Sequence, residues 1–408
     1  MKTYNFQTFR IRLGIVILLS CLAISSNSFA SDDEWIEKTG DVLQIALPVG
    51  AGATTLILQD WEGTAQFAKT FGASWATVYG LKLAIGKMRP ASEDRASHPS
   101  GHTMGAFAGA AFIDARYGHA AGIPAYALAA FTGWSRVYAD KHFFDDVVSG
   151  ASISMLWTWF FTTPYGGEKK KSDVVIEKGK PLWSYNWEFG PALLIRNEIK
   201  APTENGTLFD LDNFDKQDDP TTSSAAMVNV NIKENHDVWV MLNPFEARDQ
   251  GKFSQPVNFG GQTFPSDTLI YSAWRMEDLR IGYQYRLPDT GTWNFRFGAS
   301  LAALWTSIKL LTPDESISAE VKDFVIMPLI RLYAGYRFSE QFELSFDIEG
   351  MQFTSDRLVD LGFMFNWNIS RQWKAWIGYR FYDKDITTED LFNRVSYNAL
   401  GLGVGHTF

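Results

Sequence analysis

The chain has 408 residues, 46% of them hydrophobic, and a formal net charge of −9. This length exceeds what one ordinary core organises, so it predicts at least two domains. The negative balance argues against a nucleic-acid partner, because a broad phosphate-neutralising surface is excluded. Any phosphate chemistry must therefore come from a local cluster of cations.

The first thirty residues have the layout of a secretory signal. Basic residues in MKTYNFQTFRIR precede the apolar run LGIVILLSCLAI, and small residues follow in SNSFA. The pattern predicts a signal peptide over residues 1–30, cleaved after Ala30, because the apolar run is too short to span a bilayer. Cleavage removes Cys21, the only cysteine, so the mature chain forms no disulfide. Lipidation of Cys21 is an alternative that also implies export.

Residues 31–165 are rich in Ala, Gly and aromatic residues, with apolar residues at helical spacing. They predict an all-helical domain. The stretches Val42 to Gln59 and Val147 to Thr163 approach membrane-spanning length, but Gly, Ala, Ser and Thr dilute them, which favours helices buried in protein. Residues 166–181, GGEKKKSDVVIEKGKP, are charged and lack an apolar period, so they predict a solvated linker.

Residues 182–408 change to a period of two. In QWKAWIGYRFY, for example, Ile377 and Tyr379 fall on one face while Gly378 and Arg380 fall on the other. Such segments predict an antiparallel transmembrane β-barrel of about ten strands, in which short turns alternate with mostly longer loops. The predicted strands are 183–199, 224–232, 237–248, 268–287, 292–311, 323–338, 340–353, 356–370, 371–386 and 391–408.

The ends of these apolar faces carry aromatic residues, namely Trp293, Trp305, Phe338 and Trp367. Aromatic girdles are typical of outer-membrane barrels, and the closing segment NALGLGVGHTF resembles their C-terminal signature. Inward arginines, including Arg280, Arg331 and Arg380, accompany Asp347 and Glu349 and predict charge pairing in a closed lumen, an anchor rather than a pore. Because a barrel passes through the periplasm before insertion, the helical domain is expected to be soluble or peripheral.

Three short pieces of the helical domain carry chemistry: KLAIGKMRP (Lys82 to Pro90), PSGH (Pro99 to His102) and SRVYADKHFFDD (Ser135 to Asp146). Singly they could be surface cations, a turn and a core histidine. Together, their order and internal spacing resemble the signature of the type 2 phosphatidic acid phosphatase superfamily. That superfamily also includes bacterial class A acid phosphatases and vanadium haloperoxidases, and the resemblance covers roughly residues 40 to 163.

Phosphoryl transfer places negative charge on three equatorial oxygens, so cations and backbone donors must converge on them. The resemblance assigns this phosphate-binding role to residues of all three motifs. They are Lys82, Arg89, Ser100, Gly101 and Arg136. The arginines offer planar forks, the lysine is a compact charge, and glycine permits close approach of the backbone.

The resemblance makes His142 the nucleophile that forms a phosphohistidine, and His102 the general acid and then base. Asp146 orients His142, since residues four apart share one face of a helix. Asp145 falls on another face and is not assigned this role. No metal or other cofactor is implied. Two departures from the family pattern, His98 before the second motif and Phe144 in the third, fall outside the catalytic positions and bear on substrate details.

The sequence thus predicts an enzyme, a phosphatase held at the periplasmic face of the outer membrane by its own barrel. Tethering concentrates it near membrane lipids, which favours a lipid phosphate, of phospholipid or lipid A type, as the substrate. A broad-specificity acid phosphatase acting on small phosphomonoesters is the first alternative. A haloperoxidase, or a pore or binding protein with a vestigial helical domain, are the others.

Overall fold

The computed structural model describes residues 34–90, 94–166, 183–214, 221–288 and 290–408. The chain divides into two compact units, Met1–Lys180 and Pro181–Phe408. The predicted signal peptide lies outside the described residues, as does all of the predicted linker except Gly166.

The first unit contains five helices: α1 (Glu34–Ile57), α2 (Trp61–Ile85), α3 (Gly101–Tyr117), α4 (His119–Tyr138) and α5 (Phe144–Phe161). Asp60 caps α2 by accepting from the backbone N–H of Gly63 at 2.9 Å. The same helix ends at Gly86, whose φ of 66° lies in the left-handed region that suits glycine. Ser100 caps α3 through its side chain.

Helix α3 forms the centre of this unit, and most of its residues are buried. Its glycines permit close approach of α1, because a Cβ at Gly109 would lie 2.5 Å from the carbonyl carbon of Leu47. Helices α4 and α5 also pack on α3. The unit is therefore built around one small-residue helix whose first turn carries the PSGH motif.

Helix α1 contradicts the prediction that Val42 to Gln59 is buried in protein. It is long and apolar enough to span a membrane, and only 22% of its most apolar window is buried. Val42, Ile45 and Val49 point outward and are each at least 60% exposed. By contrast, α5 is buried over nearly all of its length. Helical periodicity identifies an apolar face but does not reveal whether protein or lipid covers it.

The second unit is a closed antiparallel barrel of ten strands, as the period of two predicts. Two-residue alternation with aromatic and β-branched residues favours strands, and closure leaves no unpaired edge. The barrel strands are β1 (Trp183–Lys200), β3 (Thr222–Lys233), β4 (His236–Lys252), β7 (Leu269–Arg286), β8 (Trp293–Leu311), β9 (Ser318–Arg337), β10 (Phe342–Phe353), β11 (Asp356–Asn368), β12 (Trp373–Thr387) and β13 (Phe392–Thr407).

Pairing of β1 with β13 closes the barrel. At one end of this seam, the backbone N–H of Phe408 donates to the carbonyl of Trp183 at 2.9 Å. The two rings also stack, with centroids 3.6 Å apart and planes inclined by 8°. The seam thus combines a long antiparallel ladder with an aromatic clasp.

The longer loops contain short elements that the sequence pattern did not reveal. These are β2 (Phe209–Asp210), a 3₁₀ turn (Leu211–Asn213) and the hairpin of β5 (Val257–Phe259) and β6 (Gln262–Phe264). Phe253, Phe259 and Phe264 from this region join the lumen residues Trp274 and Tyr382 in one buried apolar cluster. Aromatic packing, rather than strand length, therefore holds these loops.

The barrel faces follow the predicted alternation. Ile377, Leu400 and Leu402 point outward and are exposed. Inside, the buried guanidinium of Arg280 pairs with Asp278 at 2.6 Å and with Glu349 at 2.8 Å. These lumen charges are paired, as the sequence pattern predicted.

Candidate active site

Elements from four helices position the predicted site residues. Lys82 lies in the last turn of α2, and Arg89 lies in the loop that follows. The PSGH motif starts α3, and Arg136 lies in the last turn of α4. His142 lies between α4 and α5, and Asp146 lies in the first turn of α5.

His142 and Asp146 are in contact and buried. Nδ1 of the imidazole lies 3.3 Å from Oδ2 of Asp146. The same carboxylate oxygen accepts from the backbone N–H of Phe143 at 3.0 Å and from the hydroxyl of Ser97. These donors fix the carboxylate, which in turn fixes the orientation and the tautomer of the ring.

The other ring nitrogen of His142 is available for chemistry. Burial lowers the pKa of His142 to about 4, and the charges of Lys82 and Arg89 lower it further. The ring is therefore neutral near pH 7, with its proton on Nδ1 toward Asp146. Nε2 carries the lone pair, and among the described residues no group forms a hydrogen bond with it.

Lys82 and Arg89 approach this imidazole from the α2 side. The ammonium of Lys82 donates to the carbonyls of Ala96 and Ser97, the latter at 3.2 Å. Burial lowers the pKa of Lys82 to about 8, which leaves it mostly charged near pH 7. Arg89 forms an ion pair with Asp94 at 2.7 Å.

Arg136 is held from α1 and α4. Its nitrogens contact Ser135 Oγ at 3.1 Å, Asp41 Oδ1 at 2.6 Å and the carbonyl of Glu37 at 2.5 Å. A guanidinium has five N–H donors, so these three contacts leave two. Arg136 and Arg89 both act electrostatically on His102. The three predicted cations therefore surround the two predicted catalytic imidazoles.

Ser100 and Gly101 lie at the start of α3, where backbone N–H groups have no partner within the helix. Ser100 Oγ accepts from the backbone N–H of Thr103 at 3.3 Å, so its own proton can be donated elsewhere. The 17-residue helix directs its positive dipole end toward this point. This arrangement suits an anion such as phosphate.

His102 lies across the cluster from His142, with ring centroids 6.4 Å apart. Its Nε2 is 3.1 Å from a carboxylate oxygen of Asp41. Burial lowers the pKa of His102 to about 4, and the positive charge of Arg136 contributes in the same direction. In the absence of phosphate, His102 is therefore neutral near pH 7.

A buried charge cluster that the sequence did not reveal lies behind Asp146. The ammonium of Lys87 is 2.9 Å from both carboxylate oxygens of Asp145 and 3.4 Å from Asp146. Nδ1 of His98 is 3.0 Å from Asp146 and 3.4 Å from Asp145. His98 therefore contacts the orienting carboxylate directly. The expectation that this departure from the family pattern bears on substrate details alone was wrong.

His98, Asp145 and Asp146 are close enough to offer ligands to one metal ion. The ammonium of Lys87 already provides a positive charge between the two carboxylates. The site described above also requires no further cation, since Lys82, Arg89 and Arg136 supply the charge that a phosphate needs.

The PAP2 superfamily model matches residues 63–168. The lipid A 4'-phosphatase of Helicobacter pylori is 33% identical over 164 residues, which are 38% of this chain and 82% of the relative. This chain belongs to the PAP2 superfamily. The predicted family and the prediction of a phosphatase are confirmed.

A second relative of this PAP2 protein is the lipid A 1-phosphatase of Porphyromonas gingivalis, 37% identical over 78 residues, 18% of each chain. Among solved structures, LpxE of Aquifex aeolicus aligns with 35% of this chain and 92% of its own, at 20% identity and a TM-score of 0.30. The outer-membrane protease OmpT of Escherichia coli aligns with 56% of this chain and 97% of its own, at 10% identity and a TM-score of 0.39.

We expect anion binding to this PAP2 site to take up a proton. The pKa of His102 is about 4 because burial and nearby cations favour the neutral ring. A bound dianion opposes those cations and raises the pKa, so the ring gains up to about one proton at a pH between the two values. Titration calorimetry with sulfate at pH 5, in two buffers of different ionisation enthalpy, measures this uptake. The His102→Asn protein should lose most of it, and equal heats in both buffers for the unmodified protein would contradict the expectation.

Proposed function

We propose that this chain is a phosphomonoesterase that acts through a phosphohistidine on His142 and needs no metal. One observation carries the proposal. The Nε2 lone pair of His142 is presented, with no hydrogen-bond partner among the described residues, in a site where Lys82 and Arg89 act on the same ring. A neutral, oriented imidazole surrounded by cations is suited to attack a phosphorus whose oxygens those cations bind.

In the first step, Nε2 of His142 attacks phosphorus, and the bond from phosphorus to the leaving oxygen breaks. Bound phosphate raises the pKa of His102, so that this ring donates a proton to the leaving oxygen. Asp146 stabilises the positive charge that develops on His142 through its contact with Nδ1, 3.3 Å away. The products of this step are an alcohol and the phosphohistidine.

In the second step, water attacks phosphorus and the bond from phosphorus to Nε2 breaks. His102 is now neutral and accepts the proton of the attacking water. Phosphate leaves, and His142 is again neutral with its proton on Nδ1. The same five phosphate-binding groups serve both steps, because the charge on the equatorial oxygens is similar in each.

We assign a lipid phosphate as the substrate class. Two relatives are lipid A phosphatases, one of them matched over 82% of its length. The outward face of α1 supports the same assignment, because no charged residue lies between Val42 and Gln59. Eighteen helical residues extend about 27 Å, close to the hydrocarbon thickness of a bilayer. An apolar face of this length suits contact with acyl chains.

We place the barrel in the outer membrane as an anchor and the catalytic unit on its periplasmic side. The outward apolar residues and the aromatic residues at the ends of the barrel faces support this location, since a bilayer selects both. Paired charges such as Arg280 with Asp278 and Glu349 fill part of the lumen, which favours an anchor over a pore.

Purified full-length protein in mixed micelles should prefer lipid phosphates. We expect kcat/KM for lipid A to exceed that for p-nitrophenyl phosphate by at least about 100-fold, because binding energy from acyl chains is used in the transition state. Phosphate release is measured for lipid A, phosphatidic acid and p-nitrophenyl phosphate in the same micelles.

Each alternative function gives a different result in this assay. Equal kcat/KM for all substrates would identify a broad-specificity acid phosphatase. Bromide oxidation that depends on added vanadate would identify a haloperoxidase, because vanadate binds where phosphate would. No hydrolysis of any substrate, together with a steady conductance in planar bilayers, would favour the pore.

A further inference from the structure

Asp41 of α1 joins two residues of the site that lie far away in the sequence. A single carboxylate oxygen, Oδ1, lies 2.6 Å from Nη1 of Arg136 and 3.1 Å from Nε2 of His102. The preceding residue, Gly40, makes this approach possible. A Cβ there would lie 2.0 Å from Ser135 Oγ and 2.6 Å from a guanidinium nitrogen of Arg136.

We propose that Asp41 is a positioning residue that holds His102 by Nε2, so that Nδ1 is the nitrogen that exchanges protons with the substrate. This inference rests on the proposed function. An imidazole has two ring nitrogens, and a carboxylate that engages one of them determines which nitrogen is presented to the substrate. The same carboxylate steadies Arg136, so that the proton donor and one phosphate-binding cation share a single support.

The charges that face His102 explain why a carboxylate is needed there. Arg136 from α4, Arg89 from the loop after α2 and His142 all disfavour the imidazolium form. Asp41 from α1 opposes them and raises the pKa of His102. Since a general acid must be protonated when the leaving oxygen departs, Asp41 favours the form that donates.

The test compares two leaving groups in the full-length Asp41→Asn protein. A lipid phosphate releases an alkoxide that needs a proton, whereas p-nitrophenolate leaves without one. We expect kcat/KM to fall by about 10- to 100-fold for the lipid phosphate, a part of the full contribution of general acid catalysis, and by less than about threefold for p-nitrophenyl phosphate. The alkaline limb of the lipid phosphate profile should also move to lower pH, because removing a negative charge lowers the pKa of His102.

The ratio of the two substrates is measured within one preparation, so it does not depend on how much of the variant is folded. Glu34→Gln removes an exposed charge from the same helix, where Glu34 pairs only with Lys38 among the described salt bridges, and should leave both activities unchanged. Equal losses for both substrates, an unmoved alkaline limb, or a gain in both activities would overturn the proposal. If the unmodified protein hydrolyses neither substrate, the proposed function itself fails.

Discussion

Replacing His142 with alanine should reduce phosphate release by at least about 10⁴-fold, since removal of a nucleophile leaves only binding and charge stabilisation. His142 is 1% exposed and is held by Asp146, so no neighbouring group can replace its Nε2. Release of phosphate from labelled substrate in single-turnover experiments measures the loss. The same experiments, quenched in alkali, should trap an acid-labile phosphoprotein in the unmodified chain and none in the variant.

His119→Ala is the matched control, because His119 lies in the same helical unit and contacts Asp114 rather than the site. It should retain activity near that of the unmodified protein. A His142→Ala protein that still releases phosphate rapidly, or that still carries an acid-labile phosphoryl group, would exclude the proposed nucleophile. His102→Ala gives a further distinction. With p-nitrophenyl phosphate it should accumulate the phosphoprotein, because the second step lacks its base.

Lys87→Met should destabilise the helical unit by about 3–5 kcal/mol, because it leaves buried carboxylates without their cation. Lys87 is 3% exposed and lies 2.9 Å from Asp145 and 3.4 Å from Asp146. Methionine keeps most of the volume, so the loss reports charge rather than packing. The free energy of unfolding of this unit is measured in the full-length chain by pulse proteolysis across a urea series.

Lys38→Met is the control for this experiment. Lys38 also pairs with a carboxylate at 2.8 Å, but 67% of its side chain is exposed, so the change should be within about 0.5 kcal/mol. The double variant Lys87→Met, Asp145→Asn removes one of the buried charges and should recover part of the loss. Equal stability of the Lys87→Met and Lys38→Met proteins would show that the buried cluster is not energetically coupled.

The barrel was predictable from sequence because its signal is local. Alternation within each strand states which face is apolar, as Ile377 and Arg380 illustrate, and tight turns separate the strands. The hairpin of β5 and β6 has strands of three residues each, too short for any period to register. Its position depends on the aromatic packing of Phe259 and Phe264, which only the assembled barrel provides.

The helical site was predictable as far as its motifs extend. A spacing of four residues distinguished Asp146 from Asp145 as the partner of His142, and the two lie 3.3 Å apart. Lys87 and Asp145 are 58 residues apart in sequence, and Asp41 and Arg136 are 95 apart. Neither pair leaves a pattern in a single sequence. The presence of His98 in place of an apolar residue was the one local sign of the buried cluster.

The seam between β1 and β13 makes membrane retention an all-or-none property of the chain. β1 follows directly from the helical unit along the chain, yet its hydrogen-bond partner is the last strand to leave the ribosome. A nascent or degraded fragment can contain every catalytic residue and still lack β13. Such a fragment would expose two open strand edges, which hydrocarbon does not tolerate, so it would never become a lasting resident of the bilayer. Anchoring thereby acts as a completeness check on the enzyme.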